Sequence, residues 1–175
     1  MSTEPSSKTS RIVHGDKAPP CNLVIFGAGG DLTRRLLVPA LYNLARTGLL
    51  PDQFSLIGVD RQELSADSFR ARLNEAVHAF ASEKSYSTAF DESHWGGLLA
   101  QVSYLQGDLS DPGLYQRLKG RLDGENRRHQ TSENVVFYMA VASRFFGVVV
   151  DQLGAAGLVE EGPDRYRRVV IEKPF

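Results

Sequence analysis

The stretch Val24-Ile-Phe-Gly-Ala-Gly-Gly-Asp-Leu-Thr-Arg-Arg35 decides the fold class of this chain. Residues 22–26 form a short apolar run, which is typical of a parallel strand buried on both faces. The glycines that follow permit a tight turn, because glycine adopts positive φ without a steric cost. From Asp31 to about Thr47 apolar residues recur at helical spacing. The sequence therefore predicts a strand, a glycine turn and a helix in succession.

A glycine turn ahead of a helix has two properties that suit a pyrophosphate group. The missing side chains let the backbone approach the anion, and the first N–H groups of the helix point at it along the helix dipole. The usual dinucleotide fingerprint, G-x-G-x-x-G, would require glycine where this chain has Leu32. A dinucleotide site is the prediction, and an ordinary strand–helix turn stays the alternative.

Strand and helix patterns alternate along the rest of the chain, which indicates a parallel sheet. The predicted strands are 54–59, 102–106, 134–140 and 168–171, and the predicted helices are 31–47, 65–82, 91–99, 111–122 and 145–156. The polar residues 123–133 indicate a surface loop, and Pro39 should bend the first helix. The predicted fold class is α/β, a Rossmann-like doubly wound parallel sheet with helices on both faces.

Composition narrows the class of protein. With 20 basic and 21 acidic residues the net charge is -1, which gives no bias towards nucleic acid or a membrane surface. The single cysteine, Cys21, supplies neither a disulfide framework nor a metal cluster, and we expect it to be buried at the start of a strand. We expect a disordered lead-in over 1–20, one dinucleotide-binding domain over 21–175 and a cytoplasmic location.

The end of the second predicted strand carries an acid and a base side by side, Asp60 and Arg61. An acid at this place in NAD-binding domains accepts a hydrogen bond from the ribose 2′-hydroxyl, whereas an arginine nearby accommodates the 2′-phosphate of NADP. The planar guanidinium suits phosphate because it donates two parallel hydrogen bonds. Arg61 therefore favours NADP, with NAD left possible, and Asp60 is either a ribose ligand or a solvated partner of Arg61.

Several motifs in order resemble the glucose-6-phosphate dehydrogenase family. They are Gly27-Ala-Gly-Gly-Asp-Leu-Thr33, Leu37-Val-Pro-Ala-Leu-Tyr-Asn-Leu44, Asp60-Arg-Gln-Glu-Leu64, Tyr138-Met-Ala-Val-Ala142, Phe145-Phe-Gly147 and Glu172-Lys-Pro-Phe175. The resemblance covers about residues 22–175 and implies the N-terminal NADP-binding domain of such an enzyme. In the whole family enzyme, a hydride moves from C1 of glucose 6-phosphate to NADP in the first step of the pentose phosphate pathway. The resemblance also implies that the whole enzyme forms a homo-oligomer.

The resemblance implies a set of site residues. The residues implied to hold the pyrophosphate are Gly27, Ala28, Gly29, Gly30, Asp31, Leu32, Thr33 and Arg34. Arg61 would bind the 2′-phosphate, and Asp108 and Leu109 would lie near the adenosine. Lys173 would lie between coenzyme and sugar and bind both, with Lys173–Pro174 as a cis peptide. The chain departs from the family at Gly29, Leu36 and Ser143, where a serine or threonine, a basic residue and a proline are common.

No catalytic base is predicted within the chain. Removing the hydroxyl proton of an alcohol usually requires a histidine oriented by a carboxylate, and the resemblance places that histidine in a segment beyond Phe175, with the substrate domain. We therefore expect the chain alone to be inactive, and no metal site. The alternatives are a non-enzymatic NADP-binding or redox-sensing module and a subunit that needs a separate catalytic chain. Another Rossmann-type oxidoreductase is a third alternative, and a short-chain enzyme of that kind would need a catalytic Tyr-x-x-x-Lys pair.

Overall fold

The structure is a computed structural model that describes residues 16–83, without the side chain of Glu83, and residues 90–172. A five-stranded parallel sheet runs through it in the order β3-β2-β1-β4-β5. The strands are β1 (Cys21–Phe26), β2 (Phe54–Asp60), β3 (Val102–Gln106), β4 (Val135–Met139) and β5 (Arg167–Ile171). The α-helices are α1 (Val38–Arg46), α2 (Ala66–Glu83), α3 (Glu92–Leu99), α4 (Pro112–His129) and α5 (Phe146–Ala155). A 3-10 turn, Ser143–Phe145, precedes α5.

The sheet is covered on both faces, which confirms the predicted doubly wound fold. Alternate residues of β1 point to opposite faces: Ile25 packs into a core with α1, α2 and α3, and Phe26 into a second core with α4 and α5. Phe26 is paired with Val59 of β2 and with Met139 of β4, so the carboxyl ends of these three strands lie level. The strand patterns predicted from sequence are confirmed for all five strands.

The first helix differs from the single continuous helix that was predicted. A π-helical turn, Thr33–Leu37, precedes α1, and the amide of Val38 bonds to the carbonyl of Thr33. Pro39 follows at once and has no N–H to donate, so the disturbance expected there takes the form of a widened turn. Leu36, which lies within this turn, is 56% exposed. Ala40 and Leu44, one and two turns further on, are exposed as well, although the predicted apolar stripe placed all three inside.

Helix α4 is longer than predicted, and the surface loop expected over 123–133 is wrong for most of its length. The Asp111 carboxylate caps the start by accepting the Gly113 amide at 2.8 Å. The buried stripe continues through Leu122 to Glu125, which is only 6% exposed. His129 lies 3.4 Å from Glu125 one turn on, and Gln130 with a φ of 54° ends the helix. The polar composition of this part of α4 did not predict a helix, because a glutamate and not an apolar residue occupies its buried face.

The ends of the chain are described in part. The predicted lead-in lies mostly outside the described residues, but Lys17 pairs with Asp52 at 2.8 Å and the Ala18 amide bonds to the Leu49 carbonyl. Cys21 is buried as predicted, and burial raises the pKa of its thiol.

Among the described helices, none combines the length and the apolar character needed to cross a membrane. The described residues contain no group of three or more His, Cys, Asp or Glu side chains placed to hold a metal ion.

Candidate dinucleotide-binding site

A cleft of about 310 Å³ opens at the carboxyl ends of the central strands. Its lining residues are Gly27, Asp60, Arg61, Asp108, Leu109, Val141, Ala142, Arg144 and Phe145. They lie at or just after the ends of β1, β2, β3 and β4, and the chain reverses its direction of winding between β1 and β4. A crevice outside the carboxyl ends of the strands at such a switch point is where open α/β sheets bind their ligands.

Larger depressions lie elsewhere but lack this placement. One of about 630 Å³ surrounds Glu133 and Arg165, whose side chains already form an ion pair of 3.0 Å. Another of about 570 Å³ runs along α4 beside Arg121 and Arg128. Neither collects loops from several strand ends, so the smaller cleft is the candidate site.

The glycine turn packs tightly against the end of β4. Gly27 has a φ of +81°, and a Cβ added to it would lie 2.4 Å from the carbonyl oxygen of Ala140. Its amide and that of Ala28 both donate to the carbonyl of Val59, at 2.9 and 3.1 Å. The turn is therefore fixed to both neighbouring strands, and only glycine fits its first position.

Four amides of the turn are already used inside the protein. Besides those of Gly27 and Ala28, the Gly30 amide donates to the Gly27 carbonyl at 3.0 Å, and the Gly29 amide donates to Oδ2 of Asp60 at 2.9 Å. Within the described residues no acceptor is recorded for the amides of Asp31, Leu32 and Thr33. These are the first amides of the helical segment, and they are the ones available to an anion.

The side chains of the predicted pyrophosphate segment have different surroundings. Ala28 is buried and belongs to the core, and the buried Thr33 hydroxyl donates to the Gly27 carbonyl at 3.3 Å. Asp31 is exposed and pairs with Arg34 at 3.2 Å and with Arg35 at 3.5 Å. Exposed pairs of this kind are weak, so either arginine can turn towards a phosphate at little cost.

Arg61 and Asp108 face the cleft from the ends of β2 and β3. The Arg61 guanidinium has no carboxylate within ion-pair distance among the described residues. The Asp108 carboxylate accepts the Ser110 amide at 2.7 Å. That hydrogen bond and, to a smaller degree, the positive charge of Arg61 hold the pKa of Asp108 below its usual range. This side of the cleft thus has one cation and one anion at neutral pH.

The segment after β4 was not assigned to the site from the sequence. Val141, Ala142, Arg144 and Phe145 line the cleft, and the Arg144 guanidinium lies 4.8 Å from the centre of the Phe145 ring. A usable signal existed, because loops that follow the strands beside a switch point form the crevice. Lys173 and the Lys173–Pro174 peptide lie outside the described residues. The neighbouring Glu172 accepts a hydrogen bond of 3.4 Å from the Tyr138 hydroxyl.

The described histidines lie away from the cleft. His78 is 3.8 Å from Glu92, His94 is 2.7 Å from the helix-capping Asp91, and His129 is beside Glu125. None of these three lines the cleft. Within the part of the chain that the structure describes, the cleft is lined by the glycine turn and by charged side chains, and no histidine lines it.

A Tyr-x-x-x-Lys pair does occur, at Tyr115 and Lys119, and it does not form a catalytic pair. Tyr115 is fully buried and donates to the Leu109 carbonyl at 2.8 Å, whereas Lys119 points to the Ala156 carbonyl at 3.3 Å. Burial, aided by the charge of Asp108, raises the pKa of Tyr115 to about 12. A phenol used as an acid or base near neutral pH needs a pKa shifted in the other direction.

The sheet, its switch point and the glycine turn define a Rossmann-like domain of the dinucleotide-binding class. The family described as glucose-6-phosphate dehydrogenase, NAD binding domain, matches residues 24–175, and the chain belongs to this family. The glucose-6-phosphate 1-dehydrogenase 2 of Mycobacterium bovis is 37% identical over 158 residues, which cover 90% of this chain and 30% of that protein. The family resemblance seen in the sequence is confirmed.

Solved structures agree with this assignment. The crystal structure of glucose-6-phosphate 1-dehydrogenase from Mycobacterium avium matches with a TM-score of 0.71 and 32% identity, over 90% of this chain and 30% of that one. A glucose-6-phosphate dehydrogenase in complex with its substrate glucose-6-phosphate matches with a TM-score of 0.76 and 26% identity, over 92% of this chain and 32% of that one. The chain thus spans about 30% of the length of the curated relatives it matches.

Proposed function

We propose that the chain binds NADP in the cleft as the coenzyme domain of a glucose-6-phosphate dehydrogenase. The observation that carries the proposal is Arg61, whose guanidinium faces the same cleft as the glycine turn and has no carboxylate partner in the described residues. In this arrangement Arg61 binds the 2′-phosphate, and the open amides of Asp31, Leu32 and Thr33 bind the pyrophosphate. The adenosine lies beside Asp108 and Leu109.

The residues of this chain have a limited part in the proposed reaction. The bound coenzyme supplies a hydride acceptor, and the chain positions it by fixing the phosphates at the ends of β1 and β2. The segment after β4, including Arg144, borders the other end of the cleft. Lys173, which follows β5, is proposed to donate hydrogen bonds to the coenzyme and to glucose 6-phosphate. Proton removal from the sugar requires a base outside the described residues, so we expect no turnover by this chain alone.

Calorimetric titration of the 175-residue chain with NADP and with NAD tests the proposal. Arg61→Ala should weaken NADP binding by about 10- to 100-fold, because a hydrogen-bonded charge pair is lost, and should barely change NAD binding. Arg121→Ala, which removes an arginine from the distant groove on α4, is the matched control. Equal losses for both coenzymes would refute the role of Arg61, and no binding of either coenzyme would refute the proposed function.

The catalytic part of the proposal needs its own test. Formation of NADPH from glucose 6-phosphate by the purified 175-residue chain would contradict the expected inactivity. The intact mass of the protein in its source cells separates the two main alternatives. A mass well above 19.3 kDa supports a complete dehydrogenase of which this is the coenzyme part, whereas a mass of 19.3 kDa supports an NADP-binding module or a subunit with a separate catalytic chain. The cytoplasmic location and a homo-oligomeric whole enzyme stay predictions.

A further inference from the structure

Asp60 at the end of β2 is bonded to the glycine turn rather than left free in the cleft. Its Oδ2 accepts the Gly29 amide at 2.9 Å, and its Oδ1 accepts the Gln62 amide at 3.2 Å. The carboxylate therefore joins the turn after β1 to the segment after β2. A hydrogen bond to a charged acceptor is stronger than one between neutral groups, so this bond is a substantial restraint on the turn.

The segment that carries Asp60 is itself held in place. The Tyr104 hydroxyl donates to the Gln62 carbonyl at 2.6 Å, and the Arg72 guanidinium donates to the Gln62 side chain at 2.5 Å. Asp60 is also part of the β2 strand, whose neighbouring residue Val59 is fully buried. The carboxylate is thus a fixed point against which the glycine turn is set.

The close approach leaves little room for a side chain at residue 29. A Cβ on Gly29 would lie 3.1 Å from Oδ2 of Asp60 and 3.3 Å from its Cγ. These distances are tighter than most contacts of a real Cβ, so the carboxylate would have to shift by a few tenths of an ångström if residue 29 had a side chain. Glycine at this position therefore lets the Gly29 amide and the Asp60 carboxylate meet without such a shift.

We propose that Asp60 is a positioning residue for the coenzyme phosphates and not the acceptor of the ribose 2′-hydroxyl. By binding the Gly29 amide it holds the turn so that the amides of Asp31, Leu32 and Thr33 face the cleft. This inference rests on the proposed function, because it names what keeps that site in shape. It also makes a distinct claim: Asp60 serves NAD and NADP alike, whereas a ribose acceptor would serve NAD alone.

Two substitutions separate the hydrogen bond from the charge. Asp60→Asn removes the negative charge but keeps one oxygen that can accept the Gly29 amide, whereas Asp60→Ala removes both. Measured by calorimetry, the alanine variant should bind NADP and NAD each about tenfold more weakly than the asparagine variant, the loss expected for one hydrogen bond between neutral groups. Glu63→Ala, an exposed neighbour outside the cleft lining, is the control. A loss confined to NAD would overturn the proposal.

Hydrogen exchange at the Gly29 amide gives a readout that needs no coenzyme. In the free chain this amide should exchange at least about tenfold faster in Asp60→Ala than in the wild type, with Asp60→Asn between them. Equal exchange in all three proteins would overturn the positioning role. If the wild type binds no coenzyme while exchange follows the expected order, the proposed function fails and the Gly29–Asp60 restraint stands.

Discussion

The α-carbon of Gly27 lies so close to the carbonyl of Ala140 that an added Cβ would be 2.4 Å from the carbonyl oxygen. This contact brings the turn after β1 onto the end of β4, at the point where the sheet changes its direction of winding. It places the glycine turn and the segment around Arg144 on two sides of one cleft. The geometry of the site thus depends on the absence of a single methyl group.

Gly27→Ala should destabilise the chain by roughly 2–3 kcal/mol, since it combines backbone strain at a φ of +81° with overlap onto backbone atoms. Urea denaturation followed by circular dichroism measures the change. Gly120→Ala is the matched control, because Gly120 is an exposed position of α4 with nothing within 4 Å. That control should be neutral or stabilising by about 0.5–1 kcal/mol, as expected for alanine in a helix. Equal effects at the two positions would contradict the packing argument.

The buried polar network at the start of β1 should contribute measurably to the free energy of unfolding. The Ser55 hydroxyl donates to Oδ1 of Asn22 at 2.5 Å, and the side-chain Nδ2 of Asn22 donates to Oγ1 of Thr131 at 2.7 Å. Ser55→Ala should cost about 1–2 kcal/mol of unfolding free energy, because an acceptor of Asn22 is left buried without its donor.

Ser103 provides the contrast on the neighbouring edge strand. Its buried hydroxyl has no hydrogen-bond partner within the described residues. Ser103→Ala should therefore be neutral or slightly stabilising, since no bond is lost and an unsatisfied polar atom is removed. Denaturation of the two variants side by side checks the pair, and a larger loss at Ser103 than at Ser55 would show that the network has been misassigned.

Asp91 should make the free energy of unfolding depend on pH in the acid range. Its carboxylate accepts the amides of Ser93 and His94, and bonds to these two residues, with that of His94 the largest cause, lower its pKa to about 2. Because its pKa is lower in the folded than in the unfolded state, the Asp91 carboxylate stabilises the fold at pH values above the unfolded pKa. This stabilisation is lost as the pH falls through the folded-state pKa. The loss should therefore occur between about pH 4 and pH 2.

Asp91→Asn should flatten the dependence of the unfolding free energy on pH in that window. The measurement is a series of denaturant titrations from pH 5 to about pH 2. Asp164→Asn, which removes an exposed carboxylate that accepts no hydrogen bond among the described residues, is the control. An unchanged slope in Asp91→Asn would contradict the role given to the helix cap.

Two arginines cover the outer edge of β3. The Arg70 Nε donates to the Val102 carbonyl at 3.0 Å, and the Arg117 guanidinium donates to the Gln106 carbonyl at 3.2 Å. Unpaired backbone groups at a sheet edge favour pairing with another chain. The double variant Arg70→Ala with Arg117→Ala should therefore associate with rising concentration, as measured by sedimentation velocity.

The matched control for the edge is Arg121→Ala, which removes a charge from the same face without uncovering a carbonyl. If both proteins stay equally monomeric over the same concentrations, the arginines do not protect the edge. If both associate equally, the lost charge and not the open edge is the cause.

The chain by itself determined the strands, the order of elements and the location of the glycine turn, because these follow from short-range rules. Apolar runs of strand length, the positive φ that glycine allows and the spacing of strand and helix act within a few residues. The family motifs also lie along the chain and need no geometry. Asp60 and Arg61 could be singled out for the same reason, because they directly follow the strand predicted over 54–59.

Only the tertiary structure decided what each of these residues contacts. Leu36 and Leu44 face outward although both belong to the predicted apolar stripe, and α4 continues past its apolar stripe with the glutamate Glu125 on its buried face. The bond between Asp60 and Gly29 joins residues 31 positions apart, and Arg144 reaches the cleft only because β4 lies beside β1. Contacts between distant parts of a chain depend on strand order and register. A local pattern does not contain this information, so the sequence could only indicate candidate residues, and the fold showed what each of them contacts.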